Sequence, residues 1–197
     1  MKLVLASKSP ARAAMLAGAG LDVELVPAAI DERALDEAWT AAGHGPAQVA
    51  RLLAEEKAKA VSLSMPGRVV IGADQTLALG HRRYSKPKDV TEARDHLISF
   101  RGRIHHLHSG VALVRDGAVL FATVGSAAMH VRAFSDAFLD TYVATMGDQI
   151  LGSVGCYQFE GLGIQLFDRI DGDYYTILGM PLLALLAALR REGLAET

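Results

Sequence analysis

The chain contains 197 residues, of which 51% are hydrophobic and 21% are charged, and its formal net charge is -2. This composition is sufficient for a hydrophobic core and excludes a disordered, collagen-like or disulfide-stabilised chain. The balanced charge offers no surface for non-specific nucleic-acid binding, so we expect no nucleic-acid partner. Cys156 is the single cysteine, which excludes an internal disulfide and predicts a reducing, cytoplasmic location.

The most apolar segments are too short to cross a membrane. The run at residues 3–6 is interrupted by the polar and proline residues at 7–10, unlike a secretory signal. Residues 181–189 are about half of the roughly 20 residues that a transmembrane helix needs. We therefore predict no membrane partner, and we expect residues 181–189 to form a buried helix.

The first half of the chain predicts strands that alternate with helices. Apolar runs of strand length, typical of buried strands, lie at residues 3–6, 23–26 and 69–71. Between them, Ser9 followed by Pro10 is a preferred helix start, and Gly45-Pro46 opens a long amphipathic helix. We expect the third strand to end at residues 72–74.

In the second half, Thr91 is the predicted N-cap of another helix. Residues 103–131 alternate around Asp116-Gly117, which is a strong β-hairpin signal. The remaining predicted elements are a helix after Ser135, a strand at residues 164–170 and a helix after Pro181. Together these elements predict an α/β fold with a mixed sheet, in a single domain of residues 1–197 with two lobes.

The first candidate site is the point where the first predicted strand meets a helix start. Ser7, Ser9 and Arg12 place two hydroxyls and a cation at a helix N-terminus, whose free N–H groups and dipole attract anions. This segment fits a phosphate site. The alternative is that Ser9 is only a helix cap and Arg12 a surface cation. The sequence has no Walker loop or dinucleotide-binding glycine motif.

The second candidate is Asp74, which follows the predicted strand at residues 69–71. A carboxylate at the end of a buried parallel strand lies where α/β folds bind their ligands. There it can hold a divalent cation or accept a proton from water. The alternative is an aspartate that only forms the turn.

Three further charged residues, Glu32, Lys57 and Lys86, are weaker candidates because each, taken singly, fits a solvated surface position better than a site. Lys86 precedes a proline, which keeps its backbone extended and aims its amine.

The sequence does not support a metal site at the histidines or a nucleophilic role for the cysteine. His105, His106 and His108 resemble a metal cluster, but in a strand His106 and His108 share one face while His105 points to the other. We expect them to have structural or surface roles. Cys156 lacks a base nearby in the sequence, so a nucleophilic role is unsupported.

Several of these segments form an ordered set of motifs. They are residues 5–12 (LASKSPAR), 31–32 (DE), 56–58 (EKA), 72–74 (GAD), 86–87 (KP), 155–163 (GCYQFEGLG) and 179–182 (GMPL). With these motifs in this order, the sequence resembles the Maf-like nucleotide pyrophosphatases from residue 3 to about residue 191. The resemblance implies a curved mixed α/β sheet with flanking helices and two lobes around a cleft, similar to inosine triphosphate pyrophosphatases.

The resemblance also implies an activity and residues for it. The activity is hydrolysis of a nucleoside triphosphate to monophosphate and pyrophosphate in the cytoplasm, with a divalent metal, Mg²⁺ or Mn²⁺. The phosphate-handling positions are Ser7, Ser9, Arg12, Lys57 and Lys86. The acidic positions Glu32 and Asp74 are the implied metal ligands. Asp74 is the implied proton acceptor, with Lys57 and Lys86 as the other catalytic residues.

The motifs depart from the usual family pattern at positions that affect the choice of base. Ala11 stands where the family usually has arginine or tryptophan, and Ser153 where members that act on thymidine or uridine nucleotides usually have lysine. Gln75 and Glu160 resemble the subgroup that acts on 7-methyl-GTP. We therefore expect Ala11, Gln75 and Glu160 on the substrate side of the site, and 7-methyl-GTP or a similar non-canonical nucleotide as substrate.

Alternatives to this interpretation stay open. One is a pyrophosphatase for dTTP or UTP, and another is a nucleotide-binding regulator of cell division with little turnover. A homodimer is possible by resemblance.

Overall fold

The computed structural model describes residues 2–196. The strands are β1 (Leu3–Leu5), β2 (Val23–Leu25), β3 (Val69–Leu79), β4 (Arg82–Tyr84), β5 (Ile104–Arg115), β6 (Ala118–Val131) and β7 (Phe167–Asp171). The helices are α1 (Pro10–Gly18), α2 (Glu32–Ala41), α3 (Pro46–Ser62), α4 (Val90–Phe100), α5 (Asp136–Met146), α6 (Tyr174–Ile177) and α7 (Leu182–Arg191). Two 3₁₀ helices span Gly147–Gly152 and Leu162–Leu166.

The strands form one mixed sheet in the order β2-β1-β3-β5-β6-β7, and β4 pairs with β3. β1 is parallel to both β2 and β3, whereas the β3–β4 and β6–β7 pairs are antiparallel. The predicted α/β class with a mixed sheet is therefore confirmed. In the part of the chain that the structure describes, no helix is long and apolar enough to span a membrane.

The chain divides into two compact units. The first contains residues 2–75, 108–126 and 173–196, and the second contains residues 76–107 and 127–172.

In the first unit, alternate residues of β3 face opposite sides of the sheet. Ile71 and Ala73 pack in a cluster that includes residues of α1 and α7, such as Leu16 and Leu185. Val70 belongs to a second cluster, which includes residues of α3. Because side chains alternate along a strand, Asp74 lies on the α3 side of the sheet and Gln75 on the opposite side.

Glycines let α3 lie very close to the sheet. A Cβ atom at Gly72 of β3 would collide with the backbone carbonyl of Ala54, and one at Gly110 of β5 would collide with that of Ala50. Only glycine permits such a close approach of helix and strand backbones. This spacing brings the side chains of α3 within reach of the residues on β3.

The second unit has an aromatic core that contains two buried histidines. Tyr84, His96, Phe100 and His105 have neighbouring rings, and His105 Nε2 lies 2.8 Å from the hydroxyl of Tyr157. Burial lowers the pKa of His105 to about 3, so the ring is neutral at physiological pH. His105 therefore has the structural role that the strand pattern predicts.

Cys156 lies in the same unit and is fully buried. Its Sγ is 3.6 Å from His96 Nδ1, and burial raises the pKa of the thiol to about 12. The thiol stays protonated at neutral pH, which agrees with the absence of a predicted nucleophilic role.

Several predicted elements are confirmed at their ends. Ser9 and Ser135 are the N-caps of α1 and α5, and each side chain accepts a backbone hydrogen bond from its helix. The β5–β6 hairpin turns at Asp116 and Gly117, which have φ angles of 50° and 78°. Two positive φ angles are what a two-residue hairpin turn requires.

Other predictions were wrong in extent. The third strand does not end at residues 72–74, because β3 continues to Leu79. The helix expected after an N-cap at Thr91 begins two residues earlier, at Val90, and its N-cap is Asp89. The strand expected at residues 164–170 begins only at Phe167, after a 3₁₀ helix. The helix α2 and the short strand β4 were not predicted.

Candidate active site

The start of α1 has the hydroxyl arrangement that the sequence predicts. The Ser9 hydroxyl oxygen accepts a hydrogen bond from the Arg12 backbone N–H at 3.4 Å, and Pro10 occupies the first helical turn. Two residues before the N-cap, the buried Ser7 hydroxyl accepts a hydrogen bond from the Ser9 N–H at 3.2 Å. The helix therefore begins among hydroxyls and N–H groups, which is the environment that binds phosphate oxygens.

Arg12 points inward and joins three parts of the chain. Its Nε donates to the carbonyl of Gly179 at 3.0 Å, and its Nη1 donates to the carbonyl of Ala73 at 2.9 Å and to the Ser7 hydroxyl at 3.3 Å. Burial lowers the pKa of Arg12, and the neighbouring carboxylates of Asp74 and Glu32 oppose that shift. Because Arg12 holds buried carbonyls, the alternative of a free surface cation is wrong.

Asp74 is a buried carboxylate in the interior of β3, with 8% of its surface exposed. The expectation that it forms the end of a strand was wrong, because the residues after it continue the strand. Burial raises the pKa of Asp74, and the positive charges of Lys57 and Arg12 oppose this shift. A carboxylate with a raised pKa is better suited to accept a proton than an ordinary aspartate.

Lys57 links Asp74 to the second acidic candidate. It projects from α3, and its Nζ lies 2.5 Å from Asp74 Oδ1 and 2.7 Å from Glu32 Oε2. The Lys57 side chain is buried, whereas Glu32, in the first turn of α2, is half exposed. The structure thus places Glu32, Lys57, Asp74 and Arg12 in one charge-balanced group, which we call the carboxylate cluster.

Gln75 points away from the carboxylate cluster, on the other face of β3. Its amide Nε2 donates to the Ser109 hydroxyl at 3.0 Å and to the carbonyls of Thr176 and Ile177 at 3.2 and 3.0 Å. These bonds fix the α6 segment to the sheet and occupy the donor side of the amide.

The remaining predicted site residues lie at the surface. Ala11 is exposed on α1 in the first unit, and Lys86 and Glu160 are exposed in loops of the second unit. Ser153 is tied to Tyr157, because its hydroxyl donates to the Tyr157 carbonyl at 2.8 Å and accepts from the Tyr157 N–H at 3.1 Å.

The carboxylate cluster has the donor chemistry for a hard divalent cation. Oxygens from Glu32 and Asp74 converge on one point, where the ammonium of Lys57 acts as the cation. Mg²⁺ is commonly bound by one or two carboxylates, with water and substrate phosphates as the other ligands. Residues 2–196 contain no group of three or more His, Cys, Asp or Glu side chains arranged for a metal. Glu32 and Asp74 are the residues that would hold such a cation, with water and substrate phosphates as its remaining ligands.

Sequence reasoning missed the groups that hold these side chains in place. The carbonyls of Ala73 and Gly179 orient Arg12, and Gly72 lets α3 bring Lys57 to Asp74. Main-chain acceptors have no residue signature. In the sequence, Gly72 is part of residues 72–74, which are predicted to be the end of a strand. A glycine at that position is compatible both with a turn and with a close contact between a helix and a strand.

The α/β fold carries a helix start with two serine hydroxyls, an inward-pointing arginine and the carboxylate cluster. This combination defines a class of phosphate-handling proteins. Within that class, the chain belongs to the Maf-like protein family, whose sequence model matches residues 2–192.

Relatives with known names are similar over nearly the whole chain. A protein from Rhizobium meliloti (strain 1021), named 7-methyl-GTP pyrophosphatase, is 53% identical over 191 residues, which cover 97% of this chain and 96% of the relative. A protein from Rhodopseudomonas palustris (strain BisB18), named nucleoside triphosphate pyrophosphatase, is 50% identical over 98% of this chain and 94% of its own. A solved HAM1 protein from Coxiella burnetii has a TM-score of 0.46 and 15% identity, over 68% of this chain and 74% of that one.

Proposed function

We propose that this protein is a nucleoside triphosphate pyrophosphatase, which hydrolyses its substrate to a nucleoside monophosphate and pyrophosphate. The observation that carries the proposal is the carboxylate cluster, in which a buried Asp74 with a raised pKa lies beside Lys57 and Arg12. The names of the relatives support the same reaction.

Binding of the triphosphate is assigned to the start of α1. The hydroxyls of Ser7 and Ser9 donate to phosphate oxygens, the positive end of the α1 dipole attracts these oxygens, and Arg12 supplies a fixed positive charge. Arg12 is orientated by the carbonyls of Ala73 and Gly179, so its position does not depend on the substrate. A site organised before binding loses less conformational entropy when the ligand arrives.

Proton transfer is assigned to Asp74. A water molecule attacks the α-phosphorus, its proton passes to the Asp74 carboxylate, and the bond from the α-phosphorus to the bridging oxygen breaks. Pyrophosphate leaves with that bonding pair of electrons. The positive charge of Lys57, 2.5 Å from Asp74 Oδ1, opposes the rise that burial causes in the pKa of Asp74 and so favours the ionised form that accepts the proton.

We further propose that Glu32 and Asp74 hold Mg²⁺ or Mn²⁺. When bound, such a cation neutralises phosphate charge and polarises the phosphoryl group as a Lewis acid. The support for this proposal is the balance of charge in the cluster, where Arg12 and Lys57 offset only Glu32 and Asp74. A triphosphate therefore needs additional positive charge.

The substrate is proposed to be a guanine-type nucleotide, 7-methyl-GTP in particular. Glu160 supports this choice, because a carboxylate accepts hydrogen bonds from the N1 and N2 donors of guanine. Uracil and thymine have a single N–H with a carbonyl on each side. The two carbonyl oxygens are repelled by a carboxylate. A methyl group on N7 makes the base cationic and increases its attraction to Glu160. The lysine that members acting on thymidine or uridine nucleotides usually have is absent, because Ser153 occupies its position. Ala11 provides no aromatic ring to stack on the base.

The test is a screen of purified protein with Mg²⁺ or Mn²⁺, in which pyrophosphate and phosphate are measured separately. We expect pyrophosphate release, with kcat/KM for 7-methyl-GTP and GTP above that for UTP and dTTP. Release of phosphate alone would move the reaction to the γ-phosphorus. A ranking led by UTP or dTTP, or one that Glu160→Gln leaves unchanged, would contradict the base assignment. Tight nucleotide binding without turnover would instead favour a regulator.

A further inference from the structure

We propose that Lys57 and the divalent cation compete for the same two carboxylates, so that Lys57 closes the site to free metal until nucleotide phosphates give its ammonium another partner. This inference rests on the proposed function, because it takes Glu32 and Asp74 as the cation ligands. It concerns the protein in the absence of bound nucleotide.

The first observation is the position of the ammonium. Lys57 Nζ contacts Asp74 Oδ1 and Glu32 Oε2 at 2.5 and 2.7 Å, and only 8% of the Lys57 side chain is exposed. The ammonium therefore fills the point on which the two carboxylates converge. A hard divalent cation would need ligand distances of about 2.0–2.2 Å to oxygens of the same carboxylates.

The second observation is that the competition is electrostatic as well as steric. Asp74 is buried, and charges of the same sign repel strongly at such short range when water is excluded. With Lys57 in place, the two carboxylates are balanced by Lys57 and Arg12, so the cluster has no net attraction for a dication. Without the Lys57 charge, the same cluster is negative and attracts one.

The two cations of the cluster differ in whether they can leave it. Arg12 is held by the main-chain carbonyls of Ala73 and Gly179, which are fixed in the fold. If Arg12 moved toward a ligand, it would lose both hydrogen bonds. Among residues 2–196, the partners of Lys57 are Glu32 and Asp74, which its ammonium contacts from the end of a flexible stem. A phosphate oxygen can take the place of either carboxylate as its partner. Lys57 is therefore the residue that exchanges carboxylates for phosphate when metal and nucleotide enter together.

The test measures Mn²⁺ binding to the nucleotide-free protein, with free Mn²⁺ quantified by electron paramagnetic resonance at pH 8. We expect Lys57→Met to bind Mn²⁺ at least tenfold more tightly than the wild-type protein. Glu32→Gln added to Lys57→Met should remove the gain. The matched control is Lys59→Met, which makes the same charge change on α3 but removes a lysine paired with Glu56 at 2.8 Å. This control should bind Mn²⁺ like the wild-type protein.

A second variant and a second measurement guard against a folding defect. Lys57→Gln removes the same charge with a polar side chain, and thermal unfolding with and without Mn²⁺ reports both folding and binding. We expect Mn²⁺ to raise the Tm of the Lys57 variants more than the Tm of the wild-type protein or of Lys59→Met. Equal or weaker Mn²⁺ binding by the Lys57 variants would overturn the proposal, as would a gain that survives Glu32→Gln.

Failure of this proposal is separable from failure of the proposed function. Pyrophosphate release is measured on the wild-type protein with nucleotide, whereas the Mn²⁺ comparison uses no nucleotide and needs no turnover. If the wild-type protein releases pyrophosphate but the wild-type protein and the Lys57 variants bind Mn²⁺ equally well, the competition is rejected and the proposed function is retained. A gain in Mn²⁺ affinity without turnover would support the competition and reject the reaction.

Discussion

Arg12 and Asp74 belong to one polar cluster but have different kinds of partner. Arg12 binds main-chain carbonyls, which hold it in one orientation, whereas Asp74 binds the side chain of Lys57. The first arrangement stabilises the fold as well as a ligand, and the second leaves a carboxylate that can change its proton or its partner. Substitutions at the two residues should therefore have different effects.

Asp74→Asn should keep the fold and lose most of the turnover. An amide accepts no proton from water and binds a hard cation poorly, and a general base typically contributes a hundredfold or more to the rate. We expect kcat to fall by at least about a hundredfold, with an unchanged circular dichroism spectrum. Asp22→Asn is the control, because Asp22 is an exposed carboxylate paired with Lys2. A folded Asp74→Asn with the wild-type rate would remove Asp74 from catalysis.

Arg12→Ala should lower both stability and phosphate binding. It leaves the carbonyls of Ala73 and Gly179 without their donor, and hydrogen bonds to charged groups contribute about 1.5–3 kcal/mol. We expect a lower Tm together with a kcat/KM reduced by about tenfold or more. Arg33→Ala is the control, because Arg33 is an exposed residue that pairs with the exposed Glu37 on α2. An unchanged Tm in Arg12→Ala would contradict the role of the two carbonyls.

Among single residues, the sequence predicts chemistry better than it predicts partners. Asp74, Arg12 and Ser9 were predicted as candidates because a carboxylate after an apolar run, a cation and a helix cap have recognisable residue types. The pairing of Lys57 with Glu32 and Asp74 was inaccessible, because the three residues lie on different elements that only the folded chain brings together. The roles assigned to Lys86 and Glu160 stay predictions.

At the scale of elements, the contact of α3 with the sheet depends on glycine. Lys57 reaches Asp74 because α3 lies against Gly72 and Gly110, where any larger residue would collide with the helix backbone. The site is thus fixed by a packing distance that residues without any catalytic chemistry determine.

Gly72→Ala should therefore lower both the stability of the protein and its activity, although Gly72 is a core residue without catalytic chemistry. The added methyl group collides with the Ala54 carbonyl, and overpacking of this kind typically costs about 1–3 kcal/mol. We expect a lower midpoint of denaturation and a reduced kcat, because α3 must move and carry Lys57 with it. Gly18→Ala makes the same change at the end of α1, where the added methyl group meets nothing within 4 Å. If both variants unfold at the wild-type midpoint, α3 has room that the structure does not show.

Prediction of elements succeeded where the pattern of residues was local. The hairpin was predicted by Asp116-Gly117, and the starts of α1 and α5 by their serine caps. The helix α2 was missed because it buries none of its residues, so it has no apolar stripe packed in the core. The strand β3 was expected to end early because glycine and aspartate resemble a turn, although the residues after them are mostly buried and continue the strand.

For the whole molecule, the sequence predicts the α/β class but not the strand order. Alternating strands and helices favour parallel neighbours, and β1 is indeed parallel to β2 and β3. The position of β5 next to β3 depends on contacts between distant segments, which no short pattern encodes. The single domain with two lobes stays a prediction, and so does a homodimer.

The reactivity of the Cys156 thiol measures transient unfolding of the second unit. A thiol that is fully buried, with a pKa of about 12, can react with a disulfide reagent only while its surroundings are transiently unfolded. We expect the native protein to react with Ellman's reagent many times more slowly than the chain in denaturant, with one equivalent released at completion. The labelling rate then measures how often the second unit opens under native conditions. Rapid labelling of the native protein would show that this unit fluctuates far more than its packing indicates.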